Sequence, residues 1–262
     1  MPDAYPRLAA PSAAPALVLV AHGSRDPRHA ATVASVCREL GTLRPALRVE
    51  AAFLEFDTPP VGRVLEALHG EGRREAVAVP LLLSRAFHAR TDIPRTLREA
   101  VSALPGTEVR QADVLGPDPL LLTALEHRLF GAAPDTEPGR TGVVLAAAGS
   151  SDPTALEAVE GLAARWERDA GWAAVRTAYA SGDLPGTADA VRGVRATAGV
   201  RRVAVVPYVI APGRLPDRIA AGAREAGADV LAPEIGAAPE LVRLLSDRFD
   251  EAVTDSAASR AA

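Results

Sequence analysis

Two stretches of this 262-residue chain are versions of one another, and that repeat constrains the fold more than any other feature. Ala21-His22-Gly23-Ser24-Arg25-Asp26-Pro27 follows one short apolar run, and Ala147-Ala148-Gly149-Ser150-Ser151-Asp152-Pro153 follows another. His22 falls on Ala148, an offset of 126 residues (148 minus 22). Val79-Pro80-Leu81-Leu82-Leu83 answers to Val206-Pro207-Tyr208-Val209-Ile210 at an offset of 127 (207 minus 80). Continuing that register sets Leu215 against His88. One scaffold is present twice, and one copy carries two imidazoles that the other lacks. The asymmetry points to a single site that uses His22 and His88 together.

Short apolar runs alternate with amphipathic stretches in both copies. Residues 16–21, 49–53, 77–83 and 109–114 predict strands, and 27–40, 61–69, 93–103 and 119–130 predict helices. The second copy repeats this with strands near 142–146, 174–179, 203–210 and 229–231 and helices over 153–168, 184–198 and 215–226. The pairs Asp26-Pro27, Asp118-Pro119 and Asp152-Pro153 mark helix starts, because Asp caps the first turn and Pro suits the first helical position. Asp92 is expected to cap the helix that begins at Ile93-Pro94. Strand–helix alternation with continuously apolar strands means parallel sheets covered on both faces. The expected fold class is α/β: two tandem homologous α/β domains, each a mainly parallel four-stranded sheet flanked by helices. The expected boundaries are a disordered Ala/Pro-rich lead at 1–14, an N-terminal half at 15–131 carrying the site, a linker at 132–140, a degenerate C-terminal repeat at 141–253 and a disordered tail at 254–262.

Composition narrows the function. Hydrophobic residues make up 48% of the chain, enough for each half to bury a core, and at 4% aromatic that core is mostly Ala, Val and Leu. A net charge of −4 argues against a nucleic-acid surface. Cys37 is the only cysteine, so neither an intrachain disulfide nor a thiolate metal cluster can form, and its apolar helical setting reads as core. No run approaches the roughly 18–20 apolar residues of a membrane span, and the N-terminus lacks the charged and apolar regions of a signal peptide, so the expected location is cytoplasmic. All 29 basic residues are arginine. Compositional bias explains that, and planar guanidinium forks suited to carboxylates are a second reading.

Ligands of parallel sheets sit beyond the carboxyl ends of the strands. His22 directly follows the first predicted strand, Glu55 the second, and His88 lies in the loop after the third. Three potential metal or proton ligands therefore converge on one sheet edge. Neutral imidazole and carboxylate together suit divalent Co, Fe, Ni or Zn. The blander readings are a hydrogen-bonded loop histidine and a solvated Glu55. His29, His69 and His127 fall in predicted helices and read as non-ligands. Trp166, Trp172, Tyr179 and Tyr208 read as core or packing between the halves.

The ordered set His22-Gly23-Ser24-Arg25, Phe53-Leu54-Glu55, Val79-Pro80-Leu81-Leu82-Leu83 and His88-Ala89-Arg90-Thr91-Asp92-Ile93-Pro94 resembles the CbiX/SirB family of sirohydrochlorin chelatases, in its long form with two fused halves and one site in the first. The resemblance spans nearly the whole chain. It implies an ATP-independent lyase that inserts Co²⁺ or Fe²⁺ into sirohydrochlorin and releases two protons, in siroheme or cobalamin biosynthesis. The metal is substrate, and no organic cofactor is implied. His22, His88 and Glu55 carry over as metal-binding and proton-accepting residues. Ser24, Arg25, Arg85 and Arg90 are candidates to hold the substrate's carboxylates, with simple surface charge as the alternative for the arginines. The implied partner is sirohydrochlorin, with no nucleic acid or membrane, and the fused halves suggest a monomer with an internal pseudo-two-fold. Two rival functions are a metal or tetrapyrrole carrier without turnover and a phosphohistidine-type phosphatase. The second needs an Arg directly before the His, where this chain has Ala21.

Overall fold

The computed structural model describes residues 14–84 and 91–261. The first repeat runs β1 (Ala16–Ala21), α1 (Pro27–Leu43), β2 (Val49–Phe53), α2 (Val61–Gly70), β3 (Glu75–Pro80), α3 (Ile93–Ser102), β4 (Glu108–Gln111) and α4 (Pro119–Ala132). A 3₁₀ turn at Pro138–Arg140 leads to the second: β5 (Thr141–Ala147), α5 (Pro153–Ala170), β6 (Ala174–Tyr179), α6 (Thr187–Arg195), β7 (Arg202–Tyr208), α7 (Arg214–Glu225), β8 (Val230–Leu231) and α8 (Pro239–Ala261). All strand pairings are parallel, in the orders β2-β1-β3-β4 and β6-β5-β7-β8.

The continuously apolar strands are buried on both faces, as their sequence requires. Leu17 and Leu19 of β1 point into one core, while Ala16, Val18 and Val20 point into another with α2 and α3. In the second sheet, Val143 and Leu145 share the core of Leu17 and Leu19, and Val144 and Ala146 pack against α6 and α7. The molecule is thus five-layered, with α1, α8, α4 and α5 between two sheets and a helix pair outside each.

The expectation of one separate core per half gives way to a shared one. α4, which closes the first repeat, packs on β7 and β8 of the second sheet. α8, which closes the second repeat, packs on β3 and α1 of the first. The two helices also lie against each other. Such a helix must be apolar on several sides, and α4 buries Leu121, Leu122, Leu125 and Leu129. α8 buries Leu241, Leu244, Leu245 and Phe249, each contributing about 2 kcal/mol by transfer from water. Arg44 ties α1 to Asp250 at 2.8 Å, and Arg248 reaches Asp118 at 3.0 Å and the Val114 carbonyl.

The three Asp-Pro starts cap as expected: Asp26, Asp118 and Asp152 accept the N–H groups of Arg28, Leu120 and Thr154 at 2.9–3.0 Å. Asp92 does not cap. Its backbone is already helical, at φ −72° and ψ −49°, because one wider turn at 91–92 extends the helix backward. Its carboxylate lies 3.5 Å from Arg95 instead. The stretch expected as a tail from 254 continues α8 as helix to Ala261. The expected lead at 1–14 lies, but for Ala14, outside the described residues. No helix among the described residues is long and apolar enough to cross a membrane.

Candidate active site

The order 2-1-3-4 reverses between β1 and β3, and a sheet of this kind opens a crevice beyond the carboxyl ends at that reversal. The second sheet does the same between β5 and β7, and the two crevices face one another. Together they form a cleft of about 400 Å³ between the halves. One wall holds His22, Gly23, Ser24, His29 and Leu81 to Ser84. The other holds Ala147 to Ser150, Tyr179 and Tyr208 to Pro216. Leu81, Leu82, Leu83, Val159, Ile210 and Leu215 make much of the lining apolar. Tyr208 is buried and its hydroxyl is held well above the ordinary phenol range by burial.

His22 is half-buried and placed by its backbone. Its carbonyl accepts the Glu55 N–H at 2.9 Å, and Ala21 accepts the Leu54 N–H at 3.0 Å, so the loops after β1 and β2 are stitched together. The stitch needs Gly23. At φ +94° a side chain there would start 1.8 Å from the Glu55 carbonyl oxygen. Glu55 itself is exposed and does not line the cleft, although its backbone is bound to that of His22. Phe56 holds a positive φ of 62°, a costly conformation for an aromatic residue, and is 56% exposed. Its ring meets His22 edge-on at 6.1 Å, and the Arg25 guanidinium sits over it at 5.3 Å.

The carboxylate that does turn inward is Asp57. It accepts the Ser24 N–H at 2.9 Å and lies 3.6 Å from His29 Nδ1. Burial lowers the affinity of His29 for a proton, with Asp57 opposing and His22 reinforcing the shift. His29, read from sequence as a helical bystander, is thus a cleft residue in the first turn of α1. Its spacing from His22 was the available signal; nothing in the sequence singled out Asp57. His69 bonds Thr107 at 2.8 Å and His127 lies by Glu240 at 3.3 Å, both away from the cleft. The remaining expected residues, His88, Arg85 and Arg90, lie outside the described residues. Among the described residues no three His, Cys, Asp or Glu side chains cluster as a metal site.

The second half repeats this frame without its imidazoles. Ala180 N–H bonds the Ala147 carbonyl at 2.9 Å, as Leu54 bonds Ala21. Gly149, at φ +91°, crowds Ser181, which stands where Glu55 does. Ser150 Oγ accepts the Asp152 N–H at 3.0 Å, as Ser24 accepts that of Asp26 at 3.1 Å. At the same 126-residue offset, Ala148 and Ala155 replace His22 and His29, while Asp183 keeps the carboxylate of Asp57.

Beyond the cleft mouth a groove of about 670 Å³ runs between Ser24, Arg25 and Asp26 on one side and Arg214, Asp217 and Arg218 on the other. Arg28 bridges the halves there, bonding Asp26 at 2.5 Å and Asp217 at 2.9 Å.

The comparisons with known proteins agree with this architecture. The family model of CbiX matches residues 16–132 and again 142–252. The sirohydrochlorin ferrochelatase of Priestia megaterium is 28% identical over 236 residues, covering 88% of each chain. A sirohydrochlorin cobaltochelatase of the same organism is 26% identical over 249 residues, covering 90% of this chain and 79% of that one. SirB from Bacillus subtilis, solved with Fe³⁺, superimposes with a TM-score of 0.81 at 25% identity, over 93% of this chain and 97% of that one. SirB from B. subtilis subspecies spizizenii, in complex with cobalt, gives 0.75 at 26% identity, over 90% and 94%. With both repeats matched, the chain belongs to the CbiX family.

Proposed function

We propose that this chain is a sirohydrochlorin chelatase, inserting Fe²⁺ or Co²⁺ into the macrocycle and releasing two pyrrole protons. The observation that carries the reading is the cleft itself: a single space between two homologous halves, apolar over much of its lining, with imidazole on one wall only. A tetrapyrrole has two flat apolar faces and a charged periphery. Leu81 to Leu83 on one side and Tyr208 to Ile210 on the other suit the faces, and the open mouth suits the periphery. The reaction exchanges one divalent cation for two protons, so it needs neither redox chemistry nor a nucleotide. It needs bases beside the macrocycle and ligands that hold the metal loosely. In this reading His22 takes both parts with His88 as its partner, and Glu55, exposed outside the cleft, serves only at its rim. Asp57 and His29 keep the wall behind His22 polar. Ferrochelatase and cobaltochelatase names both occur among the relatives, and the metal used in the cell is set by supply as much as by affinity. The chain acts as a monomer in the cytoplasm, its two halves supplying the paired walls.

The test mixes catalytic amounts of protein with sirohydrochlorin and follows the absorbance change with Co²⁺, and anaerobically with Fe²⁺. Many turnovers per chain are expected, with a loss of at least a hundredfold in His22→Ala and in His88→Ala. Stoichiometric binding without turnover would assign the chain to metal or tetrapyrrole carriage instead. Light scattering at twice the mass of one chain would refute the monomer.

A further inference from the structure

Most described arginines of this chain are matched by carboxylates. Arg28, Arg44, Arg48, Arg110, Arg192 and Arg248 each lie within 3.2 Å of an Asp or Glu oxygen. Arg214 and Arg218 are among the described arginines without such a partner, and of these they and Arg25 line the cleft or the groove at its mouth. Both are exposed on the first turns of α7, and neither has a carboxylate partner among the described residues. Arg218 donates to the Ala180 carbonyl at 3.2 Å, and the Arg214 side chain makes no hydrogen bond among the described residues. The acidic groups in the same groove do not serve them, since Arg28 already engages both Asp26 and Asp217. Arg214 lines the cleft as well as the groove at its mouth, so the two spaces are continuous through it. Arg25 faces them across the groove, its guanidinium over Phe56.

Unmatched guanidinium groups at the mouth of an apolar cleft suit a ligand with a flat apolar body and carboxylates around its edge. We propose that Arg214 and Arg218, from the half without histidines, bind peripheral carboxylates of the macrocycle and fix its rotation over His22. The inference rests on the tetrapyrrole reading above. It assigns the second repeat a share in substrate recognition: the imidazoles come from the first repeat, and two of the three groove arginines from the second.

The experiment uses the full chain and measures initial rates against sirohydrochlorin at saturating Co²⁺. Arg214→Gln with Arg218→Gln is expected to raise KM about 10- to 100-fold, with kcat within about threefold, since charged hydrogen bonds at an exposed site each contribute a modest factor. Salt should raise the wild-type KM, and raise that of the double variant less. Binding of Co²⁺ alone should be unchanged. Arg224→Gln, in the last turn of the same helix, should leave both constants alone, and Arg214→Lys with Arg218→Lys should keep most of the affinity. If the double variant is unstable, Arg214→Gln alone decides, because it breaks no described hydrogen bond. A wild-type enzyme that turns over, with KM unchanged within twofold in the arginine variants, overturns this inference and leaves the chelatase reading standing. A wild-type chain that never turns over sirohydrochlorin overturns the chelatase reading, and one that also fails to bind it overturns both.

Discussion

Replacing Gly23 by alanine adds one carbon at the point where the loop of His22 crosses that of Glu55. Gly149 supplies an internal reference, because its φ of +91° matches the +94° of Gly23 and its setting is homologous. The cost of holding alanine in a left-handed conformation, about 1–2 kcal/mol, is therefore common to both sites. The overlap is not. The new carbon would start 1.8 Å from the Glu55 carbonyl oxygen at Gly23, but 2.7 Å from the Ser181 oxygen at Gly149. Ordinary contact begins near 3.4 Å, so the backbone must retreat by roughly 1.5 Å in the first case and well under 1 Å in the second. A retreat of that size breaks the Glu55 N–H to His22 bond and strains the Leu54 N–H to Ala21 bond, at about 1 kcal/mol each. Gly23→Ala should therefore cost about 3–4 kcal/mol and Gly149→Ala about 2 kcal/mol. Urea unfolding measures both, and the melting temperature should fall about 2–4 °C per kcal/mol. Chelatase activity should collapse in Gly23→Ala at temperatures where the variant is still folded, because His22 is carried on the loop that moves. Equal destabilisation by the two substitutions, or full activity in Gly23→Ala, would refute the reasoning.

Three further expectations follow from the same contacts. A fragment ending at residue 140 should fail to unfold cooperatively in urea, since it lacks α8 to cover β3 and α1; a sharp transition in that fragment would contradict the shared core. Burial, with Glu50 adding to it, pushes the Cys37 thiol up to about 12, so a disulfide reagent at pH 8 should label native protein at least a hundredfold more slowly than protein in urea, and comparable rates would place the thiol at the surface. Burial holds His29 below its ordinary 6.5, so the unfolded chain takes up a proton that the folded chain refuses. Stability should then be full above about pH 6.5 and fall as the pH drops through that value, and His29→Gln should flatten the fall; identical pH profiles would show that His29 is not the group responsible.

Much of the architecture was legible in the chain because its strands are apolar on both faces and its helices on one. β1, β2 and β6 fall where their apolar runs lie, and the Asp-Pro starts cap three helices. Residues 232–253 carry no element in the sequence reading, although Leu241, Leu244, Leu245 and Phe249 repeat at helical spacing and lie in α8. Periodicity says that such a face is buried but not what buries it, so the exchange of α4 and α8 between sheets was out of reach. The site was partly legible for a similar reason. His22 stands at a strand end, and strand ends are where such sheets bind. His29 enters the cleft one to two helical turns from His22, a spacing that is the sequence's signal for it; Asp57 reaches His29 and the Ser24 N–H through loop geometry that no spacing rule encodes, and Arg214 and Arg218 belong to the repeat that lacks the histidines.

The crossing of α4 and α8 also bears on how the chain is made. Translation delivers the first sheet with α1, α2, α3 and α4, but the helix that lies over β3 begins only at Pro239. The half that bears His22 therefore waits, one apolar face uncovered, through the synthesis of more than a hundred further residues. Contacts that long in sequence fold slowly and leave the nascent chain open to association. An insertion before Pro239 that delays the docking of α8 would lower the yield of active protein without touching the cleft.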